Sequence, residues 1–244
     1  MSSTILRWGL MSDVGRVRKA NQDAVMANGS LFVVADGMGG HQGGEEASQI
    51  AVGSMSRISS VDSVDELADA VVNANRLIRA KGAVVPELGG MGTTVVAMGV
   101  LPPANGQHQL GAANVGDSRL YVYEDGDFTQ ISEDNSLVGE LERAGQITAD
   151  EAARHPQRNV VTRALGADDE VQVDTWVIPI RNGQRYLMCS DGLVNEVSDA
   201  EIKDELATMD EPSDVASRLV SAANNSGGRD NITVLILDVV SDPS

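Results

Sequence analysis

The chain is short of several things that would narrow its reading at once. It has one cysteine, Cys189, in 244 residues. A single thiol excludes an internal disulfide and fits a reducing compartment. Aromatic residues make up 3% of the chain, so the core has to be built from Val, Ile, Leu, Ala and Met. Cations are scarce too: 18 Lys and Arg stand against 36 Asp and Glu, a formal net charge of -18. Nucleic-acid binding needs Lys and Arg to displace counterions, and anionic membranes attract the same groups. The charge balance argues against both partners. No apolar run approaches the length of a membrane span, and MSSTILRWGLMSD has no apolar stretch of signal-peptide length. The expectation is a soluble, cytoplasmic protein. An acidic protein that handles an anionic substrate would need cations to do so.

What is present is an ordinary globular composition, 42% hydrophobic and 22% charged, on a chain long enough for a real core. The chain is organised around Leu31 to Gly44, LFVVADGMGGHQGG. Its apolar run, Leu31 to Ala35, reads as a strand ending in Asp36, followed by glycines and a helix from near Glu45 to Ile58. Before it, residues 5 to 11 form a candidate strand and Ser12 to Asp23 a polar loop. Ser63-Val-Asp-Glu66 is a capping box, and Val64, Leu67, Ala68, Val71, Asn75 and Ile78 behind it repeat at helical spacing up to Gly82. Strands are expected at Thr94 to Leu101, Gln109 to Val115, Arg119 to Tyr123, Phe128 to Ile131, Val171 to Ile178, Gln184 to Ser190 and Ile232 to Val240. Pro102, Pro103, Asn105 and Gly106 mark one hairpin turn, and Asp125-Gly126 another. Residues 134–165 are polar, with short helical patterns at Leu137 to Ala144 and Ala149 to Arg154, and read as an inserted flap. A second capping box, Ser198 to Glu201, opens a helix to about Met209; Pro212 opens one that stops at Gly227-Gly228. Short strands joined by hairpin turns, with four amphipathic helices, predict an α+β layered domain with largely antiparallel sheets.

Four aspartates share one context. Asp36 follows LFVVA, Asp117 follows LGAANVG, Asp191 follows RYLMCS, and Asp230 precedes NITVLIL. Asp beside Gly is common in turns, and any one of these alone marks nothing. Together they place carboxylates at strand ends, and ends of neighbouring strands lie about 5 Å apart. Two carboxylates ~4 Å apart repel by about 4 kcal/mol at an effective dielectric near 20. Such closeness calls for protons or cations, and oxygen-only ligands select Mg²⁺ or Mn²⁺ rather than zinc. A nucleotide-binding reading of the glycine loop fails, because Gln42 stands where the dinucleotide fingerprint needs its last glycine and no Gly-Lys-Ser/Thr follows.

SDVGRVRKANQD (12–23), VVADGMGGHQGGE (33–45), GMGTT (90–94), NVGDSRLY (114–121), HPQRNVVTRALG (155–166), CSDGL (189–193) and GRDNITV (228–234) occur in this order. With them the chain resembles the metal-dependent protein phosphatases, the type 2C serine/threonine phosphatases, in their compact bacterial form. The resemblance covers almost the whole chain. It implies one catalytic domain over 1–244 with the 134–165 flap inside it, built as a β-sandwich of two antiparallel sheets with helices on both outer faces. It implies hydrolysis of phosphoserine and phosphothreonine in proteins by a hydroxide held between two Mn²⁺ or Mg²⁺ ions. Carried over by motif, Asp36, Asp191 and Asp230 are the catalytic metal ligands: Asp36 bridges the two ions, the Gly37 carbonyl binds one, and Asp191 and Asp230 hold the other. Asp117, with Asp191, binds a third, weaker ion. Asp23 hydrogen-bonds water on the metals, and Arg18, five residues before it, grips the substrate phosphate with its guanidinium fork. The implied partners are phosphorylated proteins, those of a cognate serine/threonine kinase, met by a monomer.

Two positions depart from the family pattern. Met38 stands where some members carry a histidine proposed as general acid, and His41 is three residues further on. Gln22 replaces a residue that is often acidic. Cys189, inside an apolar strand, reads as core rather than nucleophile. Arg158 and Arg163 near the flap read equally as peptide-docking groups and as structural ion pairs. Two other functions stand beside the first: a phosphatase-like binding module without turnover, marked by lost metal ligands, and a hydrolase of small phosphate esters.

Overall fold

Strands such as Leu31–Met38 are apolar at consecutive positions, which an antiparallel sheet with one wet face would not produce. The computed structural model, which describes residues 4–39 and 42–241, shows why. Both faces of the central strands are buried, in different cores. Phe32 and Val34 point between two sheets, while Leu31, Val33 and Ala35 point under helices. Leu235 and Leu237 enter the same inter-sheet core, while Val234 and Ile236 pack under helices on the far side.

The described residues form strands β1 (Thr4–Asp13), β2 (Asp23–Ala27), β3 (Leu31–Met38), β4 (Gly92–Thr93), β5 (Val95–Ala104), β6 (Gln107–Val115), β7 (Arg119–Glu124), β8 (Asp127–Gln130), β9 (Asp174–Pro179), β10 (Arg185–Cys189) and β11 (Ile232–Ser241). Their helices are α1 (Gly43–Met55), α2 (Val64–Val84), α3 (Leu137–Arg143), α4 (Ala149–Ala153), α5 (Asp191–Val194), α6 (Asp199–Ala207) and α7 (Pro212–Ser226). One sheet runs β1-β11-β10-β7-β8; the other runs β2-β3-β5-β6-β9, with β4 beside β3. Every pairing is antiparallel. α1 and α2 cover the second sheet, and α6 and α7 cover the first. The expected α+β sandwich with helices on both outer faces is the observed architecture.

Local differences have local causes. β3 does not end at Ala35 but carries Asp36 inside it, because Asp36 still pairs with Asp23 of β2. The hairpin after β5 turns at Asn105-Gly106, both at positive φ, while Pro102 and Pro103 lie in the exposed end of the strand, where a register shift spares the ladder their missing N–H groups. Ser63 caps α2 as expected by accepting from Glu66 N, but the return bond from Glu66 goes to Asp62 N. The Ser198 box is complete. α5 is absent from the sequence reading: four residues give no periodicity to detect. In 134–165 most residues are exposed, yet Leu165 is fully buried and pairs with Thr93 in both directions, at 2.9 and 3.0 Å.

Candidate metal centre

Asp36 lies near the end of β3, Asp117 in the link from β6 to β7, Asp191 at the first residue of α5, and Asp230 just before β11. β10 and β11 are antiparallel neighbours with Cys189 opposite Val234, so Asp191 and Asp230 share one end of one sheet. Asp36 belongs to the other sheet. The carboxylates therefore meet across the sandwich, and strand spacing within a sheet accounts only for Asp191 and Asp230. All four line one pocket of about 320 Å³, together with Arg18 and Gly37. Asp23 lies opposite Asp36 in the β2–β3 ladder.

Hydroxyl groups fix this arrangement. Thr94 Oγ1 accepts from Asp36 N at 3.1 Å, and Thr93 Oγ1 donates to the Asp36 carbonyl at 2.8 Å. Thr94 Oγ1 also lies 2.7 Å from Ser118 Oγ, which ties the Asp36 strand to the link carrying Asp117. Gly116, in that link, has φ +107°, and a Cβ there would sit 2.5 Å from the Thr94 side chain; only glycine fits. Ser190 Oγ donates to Asp23 Oδ2 at 2.8 Å and accepts from Thr233 N at 2.9 Å. Arg18 Nη2 donates to Asp230 Oδ2 at 2.7 Å. A Cβ at Gly37 would collide with the Gly44 carbonyl at 2.1 Å, so the bare backbone there is a packing requirement.

The electrostatics are those of crowded like charges. Asp36 is raised well above the usual carboxylate range, first by loss of solvation and then by Asp23, Asp191, Asp117 and Asp230. Asp117 is pushed up to about 7 by burial and by Asp191 and Asp134. Asp191 is raised by burial and Asp230, opposed by Asn195, whose Nδ2 donates to Asp191 Oδ2 at 3.0 Å. Asp23 moves up to about 6 through burial, opposed by the Thr233 and Ser190 hydroxyls, and its Oδ1 is buried with no hydrogen-bond partner. An all-oxygen set that pays this much repulsion, with an orphaned carboxylate oxygen beside it, fits hard divalent cations. Among the described residues no three acidic, histidine or cysteine side chains close around a single point; the carboxylates line a shared recess instead.

A family model described as protein phosphatase 2C matches residues 16–226. The chain belongs to the protein phosphatase 2C family. It is 42% identical over 240 residues to the serine/threonine protein phosphatase PstP of Mycobacterium tuberculosis, covering 97% of this chain and 45% of PstP. It thus spans less than half the length of that relative. It is 38% identical to the serine/threonine phosphatase stp of Listeria innocua, covering 93% of each. The crystal structure of the PstP catalytic domain in complex with two manganese ions superposes with a TM-score of 0.87 at 39% identity, covering 98% of this chain and 100% of that one.

Other expectations for this phosphatase 2C chain sort as follows. Met38 and Gln22 line the pocket. His41 lies outside the described residues. Burial pushes the Cys189 thiol up to about 12, which removes it as a nucleophile. Arg163 is bound to Asp174 at 2.9 Å and to the Gln172 carbonyl, a structural pairing. Arg158 faces an adjoining cavity of about 640 Å³, which reaches Asp117 and Asp191 and is walled by α3 and α4. The sequence reading missed the Thr94–Ser118 bridge and Asn231. Both stand inside recognised motifs, but nothing in a motif says which neighbour a hydroxyl or amide will meet. Among the described residues no helix is long and apolar enough to cross a membrane.

Proposed function

We propose that this chain hydrolyses phosphoserine and phosphothreonine in proteins with the help of divalent metal ions. The observation that carries the reading is the recess itself: carboxylates from both sheets and one anchored arginine around a single opening. Asp36, the Gly37 carbonyl, Asp191 and Asp230 would hold two ions, and Asp117 with Asp191 a third. Bound Mn²⁺ or Mg²⁺ supplies Lewis acidity, which neutralises phosphoryl oxygens and lowers the pKa of water. Arg18, half exposed and fastened to Asp230 through one nitrogen, presents the rest of its planar fork to a phosphate. Asp23, opposite Asp36 in the β2–β3 ladder, would offer its unpartnered, buried Oδ1 as a hydrogen-bond acceptor. The thioether of Met38 cannot donate a proton to the leaving alkoxide, so that proton comes from another group.

The catalytic unit is one domain over 1–244, with 134–165 as a flap beside the recess that reads the peptide around the phosphate. The substrates are phosphoproteins made by a cognate serine/threonine kinase, and the enzyme acts on them in the cytoplasm as a monomer. The test is phosphate release from a phosphothreonine peptide with Mn²⁺, with Mg²⁺ and with chelator. Release that needs the ions is expected. Release that ignores chelation removes the reading, and turnover confined to a small aryl phosphate assigns the site to small esters.

A further inference from the structure

Asn231 follows Asp230 and is buried, and its side chain makes three hydrogen bonds to the backbone of one loop. Its Nδ2 donates to the Val14 carbonyl and to the Ala20 carbonyl, both at 2.9 Å. Its Oδ1 accepts from Gln22 N at 2.8 Å. Both amide protons and the amide oxygen are therefore used, which is close to all that a carboxamide offers. The three contacts span the loop between β1 and β2, and that loop carries Arg18 at an exposed position.

A second clamp lies upstream. Arg16 N donates to the Gly228 carbonyl at 2.7 Å, and Gly15 sits so close that a Cβ there would lie 2.1 Å from the Asp230 carbonyl. Arg18 is thus two residues from a fixed point on either side, Arg16 and Ala20, and both points are fastened to the 228–231 segment. The same segment supplies Asp230, the carboxylate on which the Arg18 guanidinium rests.

We infer that Asn231 is a positioning residue: it clasps the Val14–Gln22 loop so that Arg18 is delivered to the phosphate beside Asp230. Asn231 itself touches no reacting atom; it acts through Arg18. The kinetic part of this inference rests on the phosphatase reading above, and the structural part does not. A carboxamide is required because the loop offers two acceptors and one donor. Aspartate has the same shape but turns an acceptor toward two carbonyls. Alanine leaves two carbonyls and an N–H without partners in a place water enters poorly.

The experiment compares the natural chain with Asn231→Ala, Arg18→Ala and the double variant on a phosphothreonine peptide with Mn²⁺. Asn231→Ala is expected to raise KM about tenfold while kcat changes by less than about threefold, the pattern of lost substrate binding. In the Arg18→Ala background the same substitution is expected to add nothing to KM, since the group it positions is gone. Asn231→Asp is expected to do no better than Asn231→Ala. A readout independent of turnover is limited digestion with trypsin, because Arg16, Arg18 and Lys19 are exposed cleavage points within the clasped loop. Cleavage there is expected to accelerate in Asn231→Ala at temperatures well below its own melting transition, where the rest of the chain stays folded. Unchanged KM, a KM penalty that persists without Arg18, or an unchanged tryptic rate overturns the inference. Should Asn231→Ala fail to fold, Asn231→Asp, which keeps the side-chain volume and the Gln22 contact, takes its place in both arms. If the natural chain releases no phosphate, the phosphatase reading fails, and the tryptic comparison alone upholds or removes the clasp.

Discussion

The β10–β11 ladder carries charge at both of its ends and treats it in opposite ways. At one end Arg185 stands directly across from Asp238. The pair is bidentate, at 2.6 Å twice, and the guanidinium also donates to the Leu206 and Asp210 carbonyls. Its partners are complete, and the Arg185 side chain is 0% exposed. At the other end Asp191 and Asp230 face Asp36 and Asp117 with Arg18 as the cation in contact, and Arg18 is itself half exposed. A buried charge whose partners the chain supplies belongs to the architecture. Charges left crowded and under-compensated mark where the chain relies on something it does not encode.

Substitutions at the two ends should therefore separate stability from activity. The largest effect is expected at the acidic end: Asp191→Ala should lower turnover by at least ~10²-fold, the scale of removing one electrostatic stabiliser. Its melting temperature should be unchanged or higher, because a like charge has been removed. Near-normal rates would contradict the metal-ligand assignment. At the other end Arg185→Ala should destabilise by about 3–5 kcal/mol, because Asp238 is left buried without its partner. Denaturant titration checks this, and activity per folded molecule should stay intact. Third, Mn²⁺ at a hundred times its dissociation constant should stabilise the natural chain by about 2.7 kcal/mol. The same addition should do far less for Asp230→Ala, as thermal melts with and without ion would record. Smallest is Arg18→Ala, expected to raise KM by roughly tenfold, near 1.4 kcal/mol, with a lesser change in kcat. An unchanged KM would leave Arg18 as a mere counter-ion of Asp230.

The central strands were legible because two-sided burial makes them apolar runs, whereas the half-buried β2 was not; the hairpins were legible because Asn105-Gly106 and Asp125-Gly126 are chemistry for positive φ. The long helices were legible from periodicity and caps at Ser63, Ser198 and Pro212. α5 was not, since one turn of helix has no period. Strand ends shifted wherever pairing, as at Asp36 with Asp23, outlasted the apolar run. At the site, each aspartate could be named from its motif, but which ones meet could not be drawn from strand spacing.

The sequence by itself determined the layers, the acidic inventory and the family, since these depend on residue type, order and short-range geometry. Only the tertiary structure decided that Asp36 and Asp191 line one recess across the sandwich, that Arg163 is occupied by Asp174, and that Asn231 closes on a loop more than two hundred positions away. The reason is physical: a side chain's partner is set by where two sheets face each other, and a strand apolar on both faces carries no mark of which residue lies opposite.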